Sequence, residues 1–266
     1  MEKFVDRLFA ECEQEFTKTK IRSLIDQGYA RLNGKIHRIA TTVCSKKDRV
    51  ELLKKPDLGK QAPISKSMPI IFEDPYIRVF DKPTGIESDV KKYPGLVHRL
   101  DKETSGLLIE AKTAAAKGAF EKLFKDKLIE KSYLAIVFGN FSKAVRVDLP
   151  IARLGRIGGF ERFGVQEGGR SAITVFTPLS HIARYTLLEC APQTGRTHQI
   201  RVHLKALDYP IVGDLLYSQA STRFERMYLH ALAVTFIHPF TKEKIRIECV
   251  EPQAFKQLLN PKKDQK

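Results

Sequence analysis

Two patterns of apolar and polar positions follow one another along the chain, and they predict a small unit and then a large one. Helical apolar stripes begin at Phe4 and at Ile21. An Asn33-Gly34 pair then separates two short alternating runs, which is the strongest local signal for a β-hairpin. This order predicts a small α+β unit over residues 1–54.

The rest of the chain contains short apolar runs, which predict strands. They lie at residues 70–72, 77–80, 107–109, 131–139, 172–176, 185–190 and 244–249. Helices are predicted from Thr113, which can act as the N-cap, to about residue 128, within 193–204 and over 251–259. We therefore expect a large α+β domain over residues 69–252, followed by a helix and a tail over 253–266.

Charge indicates the kind of partner. The net charge is +15 and the pI is about 9.6, which implies a polyanion, with nucleic acid as the first candidate and a membrane surface as the second. No apolar run approaches the length of a membrane-spanning helix, and the N-terminus lacks the apolar core of a signal peptide. The four cysteines form no Cys-x-x-Cys pair, which argues against a zinc site and fits a cytoplasmic protein with reduced thiols.

Two segments lack a clear apolar period. Residues 55–68 are rich in Pro, Gly, Ser and Lys, and we interpret them as a linker. Residues 151–170 are rich in Gly and Arg, and we interpret them as a loop. A mobile basic loop that touches RNA backbone and a merely solvated loop both fit that composition.

Residues 97–109 carry the most distinctive chemistry. Asp101 stands between Arg99 and Lys102, and the polar stretch then runs into an apolar strand. A loop that leads into a strand can hold a side chain at the floor of a cleft. Neighbouring cations keep a carboxylate ionised, and an ionised Asp can act as a nucleophile or a base. A surface turn with an ordinary ion pair is the alternative.

Four stretches together resemble the RluA-type pseudouridine synthases, which isomerise uridine in RNA. The most specific is His98-Arg99-Leu100-Asp101 followed by Thr104-Ser105-Gly106. The other three are Lys82-Pro83-x-Gly85, Lys131-x-Tyr133-Leu134-Ala135 and Gly195-Arg196-Thr197-His198-Gln199-Ile200-Arg201. The resemblance implies an α+β catalytic domain over residues 69–252, built on a mostly antiparallel mixed sheet with a basic cleft beside it.

The same resemblance implies a role for each matching residue. Asp101 matches the catalytic aspartate, and Arg196 matches the arginine that pairs with it. Tyr133 matches the tyrosine that packs on the target uracil and assists proton removal. Arg99 matches the arginine that enters the space left by the flipped nucleotide, and Arg201 is expected to contact the substrate.

This chemistry requires no cofactor and no metal, because isomerisation involves no redox change and no net addition of water. His198 and His203 lie five residues apart without the Glu of a zincin pattern, so we do not expect them to bind a metal. Glycoside hydrolysis usually needs two carboxylates. One carboxylate among cations suits isomerisation better.

The first unit resembles the S-four-like RNA-binding module. The matching residues are Leu24-Ile25-x-x-Gly28, Asn33-Gly34-Lys35 and Asp48-x-Val50. Residues 1–68 carry 15 Lys and Arg against 9 Asp and Glu, and such a surplus suits phosphate contacts. We expect Lys20, Arg22 and Lys35 to make such contacts, with a basic but passive hairpin domain as the alternative.

Together, these patterns and resemblances predict a monomeric, cytoplasmic pseudouridine synthase that acts on structured RNA and not on membranes. The small unit favours ribosomal RNA, and transfer RNA remains possible. The rival interpretation is a non-catalytic RNA-binding or ribosome-assembly factor that kept the fold. Its basic surface would be the same, but Asp101 and Tyr133 would be dispensable.

Overall fold

The computed structural model describes residues 2–11, 17–26, 30–37, 39–52, 68–89, 93–157, 160–218 and 224–260. The chain folds into two compact units. One comprises Met1–Ser65 and Arg153–Arg162, and the other comprises Lys66–Ala152 and Phe163–Lys266. No helix in these described ranges combines the length and apolar character needed to cross a membrane.

The small unit contains two helices, which are preceded and followed by short strands. Its elements are β1 (Glu2–Lys3), α1 (Phe4–Glu11), α2 (Lys18–Asp26), β2 (Ala30–Leu32), β3 (Lys35–Ile36), β4 (Val43–Cys44) and β5 (Val50–Leu52). Strands β3, β2 and β5 form one sheet in that order, and β1 pairs with β4. Phe4, Ile21 and Ile25 are fully buried, so both predicted apolar stripes face one core.

The predicted hairpin is present. Asn33 and Gly34 both have positive φ, at 52° and 77°, which the tight turn between two twisted strands requires. The Asn33 side chain also donates to Asp48 at 2.9 Å and so ties the turn to the strand beyond it. Gly28, which matches the S-four-like module, and most of the predicted linker lie outside the described residues, whereas Met68 at the end of that linker is buried.

The remaining elements are β6 (Ile70–Glu73), β7 (Ile77–Lys82), β8 (Ser105–Ala111), α3 (Ala114–Lys125), β9 (Glu130–Phe138), β10 (Val145–Asp148), β11 (Ile151–Ile157), β12 (Phe160–Val165), β13 (Ile173–Ile182), β14 (Tyr185–Pro192), α4 (Gln199–Ala206), β15 (Leu229–Ile237), β16 (Lys244–Glu248) and α5 (Gln253–Leu259). Most of them belong to the large unit.

One large sheet organises that unit. Its strand order is β10-β13-β14-β9-β15-β8-β7-β6, and β16 joins it along β15. Strands β8 and β15 run parallel, and the other described pairs of this sheet are antiparallel. The predicted α+β fold with a mostly antiparallel mixed sheet is therefore confirmed.

Helices cover this sheet and complete its core. Phe120 of α3 is fully buried against the strands, and Thr113 caps that helix by accepting a 3.1 Å hydrogen bond from the Ala116 N–H, as predicted. Helix α3 ends at Lys125 because Lys127 adopts a left-handed φ of 60°. Phe255 of α5 is also fully buried, so the C-terminal helix packs into this core.

The prediction that residues 151–170 form a loop is wrong. Strands β11 and β12 pair there as a two-stranded sheet. Arg153 and Glu161 form a 3.0 Å ion pair between the two strands. The abundant Gly and Arg residues obscured the strand pattern, although Ile151 of β11 and Phe163 of β12 pack in one small core cluster.

Candidate active site

The loop that carries Asp101 leads into β8, and hydrogen bonds from the end of β7 and the segment after it hold this loop in place. Lys82 is fully buried, and its Nζ donates to the carbonyl oxygens of Ile86 at 2.9 Å and Lys102 at 3.3 Å. The Gly85 N–H donates to the same Lys102 carbonyl at 2.8 Å. Burial lowers the pKa of Lys82 to about 8. The lysine therefore acts as a buried clamp on the backbone next to Asp101.

Two side chains hold the other side of this loop. Ser88 Oγ donates to the Leu100 carbonyl at 3.0 Å and accepts the Leu100 N–H at 3.1 Å. His98 Nε2 accepts the Ile109 N–H at 2.9 Å, and its ring stacks on Phe124 with 4.7 Å between centroids. Burial lowers the pKa of His98 to about 3, so the ring is neutral and keeps the lone pair that this bond requires.

Gly106 is required where the loop becomes strand β8. Its φ is 107°, and it pairs in parallel with Ala231 of β15. A Cβ at this position would lie 2.2 Å from the Ala231 carbonyl oxygen, a distance that no side chain tolerates. The glycine therefore lets the loop approach β15 closely.

Asp101 faces a buried arginine from helix α4. Arg201 Nη1 donates to Asp101 Oδ2 at 3.0 Å. Its other edge binds Asp214 in a two-pronged pair, with Nε at 2.8 Å from Oδ2 and Nη2 at 2.9 Å from Oδ1. The guanidinium fork thus bridges two carboxylates, and its geometry fixes the direction in which it meets Asp101.

This bridge is inaccessible to solvent except at Asp101. The side chains of Arg201 and Asp214 are 4% and 0% exposed, whereas that of Asp101 is 17% exposed. Burial lowers the pKa of Arg201, but Asp214 and Asp101 together raise it by more, so the net shift is upward. Arg201 is therefore a permanent cation, and Asp101 is its solvent-accessible partner.

A histidine approaches the same carboxylate from the residue before α4. His198 has a left-handed φ of 56°, and its Nε2 lies 3.8 Å from Asp101 Oδ2. Its Nδ1 lies 2.8 Å from Tyr217 Oη, and that hydroxyl accepts the Phe163 N–H at 3.1 Å. Tyr217 can donate its own proton to Nδ1, and in that arrangement the ring proton of His198 lies on Nε2, on the side facing Asp101. Burial, followed by the charge of Arg201, lowers the pKa of His198 to about 4, so the ring is neutral.

Asp101 and Tyr133 line one cavity of about 620 Å³. Tyr133 lies on β9 and is half-buried. Burial, followed by the negative charge of Asp101, raises the pKa of Tyr133 well above its ordinary value, so it is a neutral phenol. Seven Lys and Arg side chains line the same cavity: Arg99, Lys125, Lys127, Lys131, Arg170, Arg196 and Arg201. Among the described residues, Asp101 supplies the only carboxylate of its lining.

Comparison with known proteins identifies the family. The model of the RNA pseudouridylate synthase family matches residues 77–206. An RNA pseudouridine synthase of Helicobacter pylori is 34% identical over 250 residues, which cover 91% of this chain and 95% of that protein. The chain belongs to the RNA pseudouridine synthase family. This pseudouridine synthase is therefore an isomerase that acts on RNA, as its motifs predicted.

Further relatives agree with this assignment. The ribosomal large subunit pseudouridine synthase D of Xanthomonas campestris is 30% identical over 291 residues, with 96% of this chain and 87% of that protein covered. The solved structure of human RNA pseudouridylate synthase domain containing 1 superposes with a TM-score of 0.63 at 28% identity, with 70% of this chain and 84% of that chain covered.

The synthase brings together five of the predicted site residues, because the lining of the cavity includes Asp101, Tyr133, Arg99, Arg196 and Arg201. The predicted partner of Asp101 is wrong, however. Arg196 Nε donates to the Ser171 carbonyl at 2.9 Å, and no described carboxylate lies within 4 Å of the Arg196 side chain. The partner is Arg201.

Arg201 was itself predicted to contact the substrate, and the structure corrects that expectation. Its side chain is 4% exposed and its three guanidinium nitrogens are bonded to Asp101 and Asp214. Helix α4 begins at Gln199, so the arginine that follows two positions later is turned inward. In the small unit, Arg22 and Lys35 are exposed on α2 and β3, as RNA contacts would need. The side chain of Lys20 lies outside the described residues.

Three residues of the site escaped the sequence analysis: Asp214, His198 and Tyr217. A single acid directly after an apolar run and Gly213 is a usable sequence signal for Asp214. For His198 the spacing argues against metal binding but predicts no role beside Asp101. Tyr217 is connected to the site through a 2.8 Å contact with His198, which no local sequence pattern predicts.

One group elsewhere in this unit has the composition of a metal site. Donor atoms of Asp81, His230 and Cys249 lie within 4.8 Å of one another. Both ring nitrogens of His230 are already bonded, Nδ1 to Ser105 Oγ at 2.8 Å and Nε2 to Cys249 Sγ at 3.0 Å. Burial raises the pKa of Cys249 to about 12, which opposes the thiolate that a metal would need. His230 and Cys249 are thus hydrogen-bonded to each other, and none of the three residues lines the Asp101 cavity.

Proposed function

We propose that this synthase converts uridines of structured ribosomal RNA to pseudouridine as a monomer, with Asp101 as the catalytic carboxylate. The observation that carries the proposal is the position of Asp101. It is held by the buried Arg201, it faces the neutral Tyr133, and it opens into a cavity lined by cations. A polyanion can enter such a cavity, and an ionised carboxylate can react there.

The target base leaves its stack before reaction, which costs a few kcal/mol. Arg99 is exposed at the cavity, two residues before Asp101. A guanidinium at this position stacks well on neighbouring bases and pairs with phosphate. Arg99 therefore fits the role of filling the space from which the nucleotide has moved.

The reaction breaks the bond between C1′ of the ribose and N1 of uracil, and it forms a bond between C1′ and C5. The hydrogen on C5 is released and N1 gains one, so the atoms balance without a co-reactant. Asp101 acts in one of two ways, by attack on C1′ or by removal of a proton from the sugar. Both routes require an unprotonated oxygen that faces the ribose, which the ion pair with Arg201 supports.

Tyr133 would hold the uracil. Because its pKa is raised, the phenol is neutral and has an apolar face that a neutral base can pack against. Its oxygen can accept the C5 proton only in passing, as a relay. Packing is therefore the role of Tyr133 that its environment favours, and proton transfer is secondary.

Ribosomal RNA is the proposed substrate class for two reasons. Several relatives, including that of Xanthomonas campestris, are named ribosomal large subunit pseudouridine synthases. The chain also carries a net charge of +15, which suits a large folded RNA.

The test measures tritium released from C5 of labelled uridine in ribosomal RNA and transfer RNA transcripts, together with pseudouridine mapping in cells with and without the protein. Release from ribosomal RNA, with a matching mapped position, supports the proposal. Release from transfer RNA alone overturns the substrate class. Release from neither overturns the proposed activity and favours a binding factor.

A further inference from the structure

Six of the cations that line the Asp101 cavity have no counter-ion among the described residues. Arg99, Lys125, Lys127, Lys131, Arg170 and Arg196 line it, and within the described part of the chain no carboxylate lies within 4 Å of their charged groups. Unpaired cations that repel one another are unfavourable in the free protein, and a bound polyanion removes that cost.

Helix α3 offers a contrast within one element. Lys117 and Lys122 form i,i+4 ion pairs with Glu121 and Asp126, and neither lysine lines the cavity. Lys125 lies in the last turn of the same helix, lines the cavity and has no carboxylate partner in the part of the chain that the structure describes. The negative end of the helix dipole favours a cation there. The helix dipole does not account for Lys127 and Lys131, which lie beyond the end of the helix.

Lys127 is the second of these lysines. It adopts a left-handed φ of 60° directly after the C-cap Asp126, a position where glycine is the usual residue. A side chain at positive φ is strained, and such residues concentrate at binding sites. The left-handed turn directs the chain into β9 while Lys127 remains exposed at the cavity.

Lys131 is the third, and it lies deeper, on β9. Its Nζ donates to the Thr194 carbonyl at 3.0 Å, so it reaches from the strand to the segment that carries Arg196. Burial, followed by the charge of Lys127, lowers the pKa of Lys131 to about 8. A half-buried ammonium with one carbonyl partner keeps two N–H donors for an anion.

We propose that Lys125, Lys127 and Lys131 form a phosphate-binding site that holds the RNA backbone next to the flipped uridine. This inference rests on the proposed function. The ligand is an RNA phosphodiester, because ammonium groups act as point charges for phosphate and do not read base edges. The three lysines lead from the exposed end of α3 to the interior of the cavity, so they would position the strand on one side of Asp101 and Tyr133.

The first experiment compares two double variants of the full chain, K125Q/K127Q and the control K117Q/K122Q. Each removes two positive charges from α3 or its end. Binding to an unmodified ribosomal RNA transcript is measured from about 50 to about 200 mM salt. Each lost phosphate contact lowers the slope of log Kd against log salt by about 0.7–0.9. The slope for K125Q/K127Q should therefore be lower than that of the parent by about 1.5, whereas the slope for the control should change little. Equal loss in both variants overturns the site.

Lys127→Gly separates binding from folding. Glycine adopts positive φ without strain, so the urea midpoint should rise while RNA affinity falls several-fold. A folding defect cannot produce that combination. Unchanged RNA affinity in Lys127→Gly removes this residue from the site.

Lys131→Met should raise KM for RNA at least ten-fold, whereas the KM of Lys131→Arg should be close to that of the parent. Lost binding with no rescue by arginine would indicate a purely structural lysine and overturn its role. Tritium release by the parent is recorded in parallel. If the parent releases none, the proposed function fails, but the salt slopes still decide whether these lysines bind RNA.

Discussion

Arg201 and Asp101 are one hundred residues apart in the chain, yet Arg201 Nη1 lies 3.0 Å from Asp101 Oδ2. The remaining edge of the guanidinium is fixed by Asp214, which also accepts the N–H groups of Leu216 at 3.0 Å and Tyr217 at 3.2 Å. The position of Asp101 is thus set by the protein itself, before RNA binds. Preorganisation of this kind lowers the cost of reaching the transition state.

Asp101→Asn should abolish tritium release while leaving the fold and RNA affinity nearly unchanged. The side chain keeps its shape but loses the charge that either mechanism needs. RNA affinity should persist because it comes mainly from Lys and Arg contacts with phosphate. Filter binding and tritium release on the same preparation check both statements. Parental turnover in Asp101→Asn would show that another group performs the chemistry.

Arg201→Met should abolish turnover and also destabilise the protein. It leaves Asp214 buried at 0% exposure without its partner, and breaking a buried pair costs about 3–5 kcal/mol. Arg196→Met is the matched control, because it removes an arginine of the same cavity that has no described carboxylate partner. We expect Arg196→Met to weaken RNA binding with little change in the urea midpoint. If Arg196→Met proves the more destabilising of the two, the pairing seen here is wrong.

The two arginines show what the motif could predict and what it could not. The pattern around residues 195–201 implied that Arg196 pairs with Asp101 and that Arg201 contacts the substrate, and the cavity contains both. Which of them faces the carboxylate depends on where α4 begins and on the position of Asp214, thirteen residues later. Those are tertiary facts, and a motif alone does not contain them.

The same limit applies to the fold. Local signals such as Asn33-Gly34 and Thr113 worked because a turn and a helix cap are decided by neighbouring residues. The role of Gly106 could not be predicted, because the backbone that excludes a Cβ belongs to Ala231 on a strand far along the chain. Strand β15 itself was not predicted as a continuous element.

Tyr217→Phe should lower kcat without raising KM. The variant removes the hydroxyl that donates to His198 Nδ1, so the ring is free to adopt the tautomer whose Nε2 lone pair faces Asp101. Loss of a hydrogen bond worth about 1 kcal/mol corresponds to a roughly five-fold slower kcat. Tyr209→Phe is the control, since it also loses one hydroxyl, which donates to the Asn140 carbonyl at 3.3 Å outside the cavity. Equal kcat values for the two variants would remove Tyr217 from the mechanism.

Acid should destabilise the protein from about pH 6.5 downward. The pKa of His98 is lowered to about 3, and those of His198 and His230 to about 4, whereas each is about 6.5 in the unfolded chain. Between these values the unfolded state binds more protons, so stability falls with falling pH by about 1 kcal/mol per histidine at pH 5.5. Urea midpoints from pH 7 to pH 5 measure the slope.

His98→Gln tests the largest of these three shifts. Glutamine can still accept the Ile109 N–H, which His98 Nε2 accepts at 2.9 Å, but it does not titrate. In this variant, the slope of the free energy of unfolding against pH should therefore fall by the equivalent of about one bound proton, and the protein should stay folded at pH 7. A slope equal to that of the parent would show that His98 is not buried as a neutral ring.

Deletion of residues 1–54 should leave catalysis at saturating RNA largely intact, because the lining of the Asp101 cavity lies between residues 98 and 229. RNA binding should weaken and its salt dependence should become shallower, since the small unit presents the exposed cations Arg22 and Lys35. The double variant R22Q/K35Q should reproduce part of that change in the full chain. Arg49→Gln is its control, because Arg49 is already paired with Glu51 at 2.7 Å. A salt slope that stays parental in the deletion would mean that the small unit does not touch RNA and that the S-four-like reading of residues 1–54 is wrong.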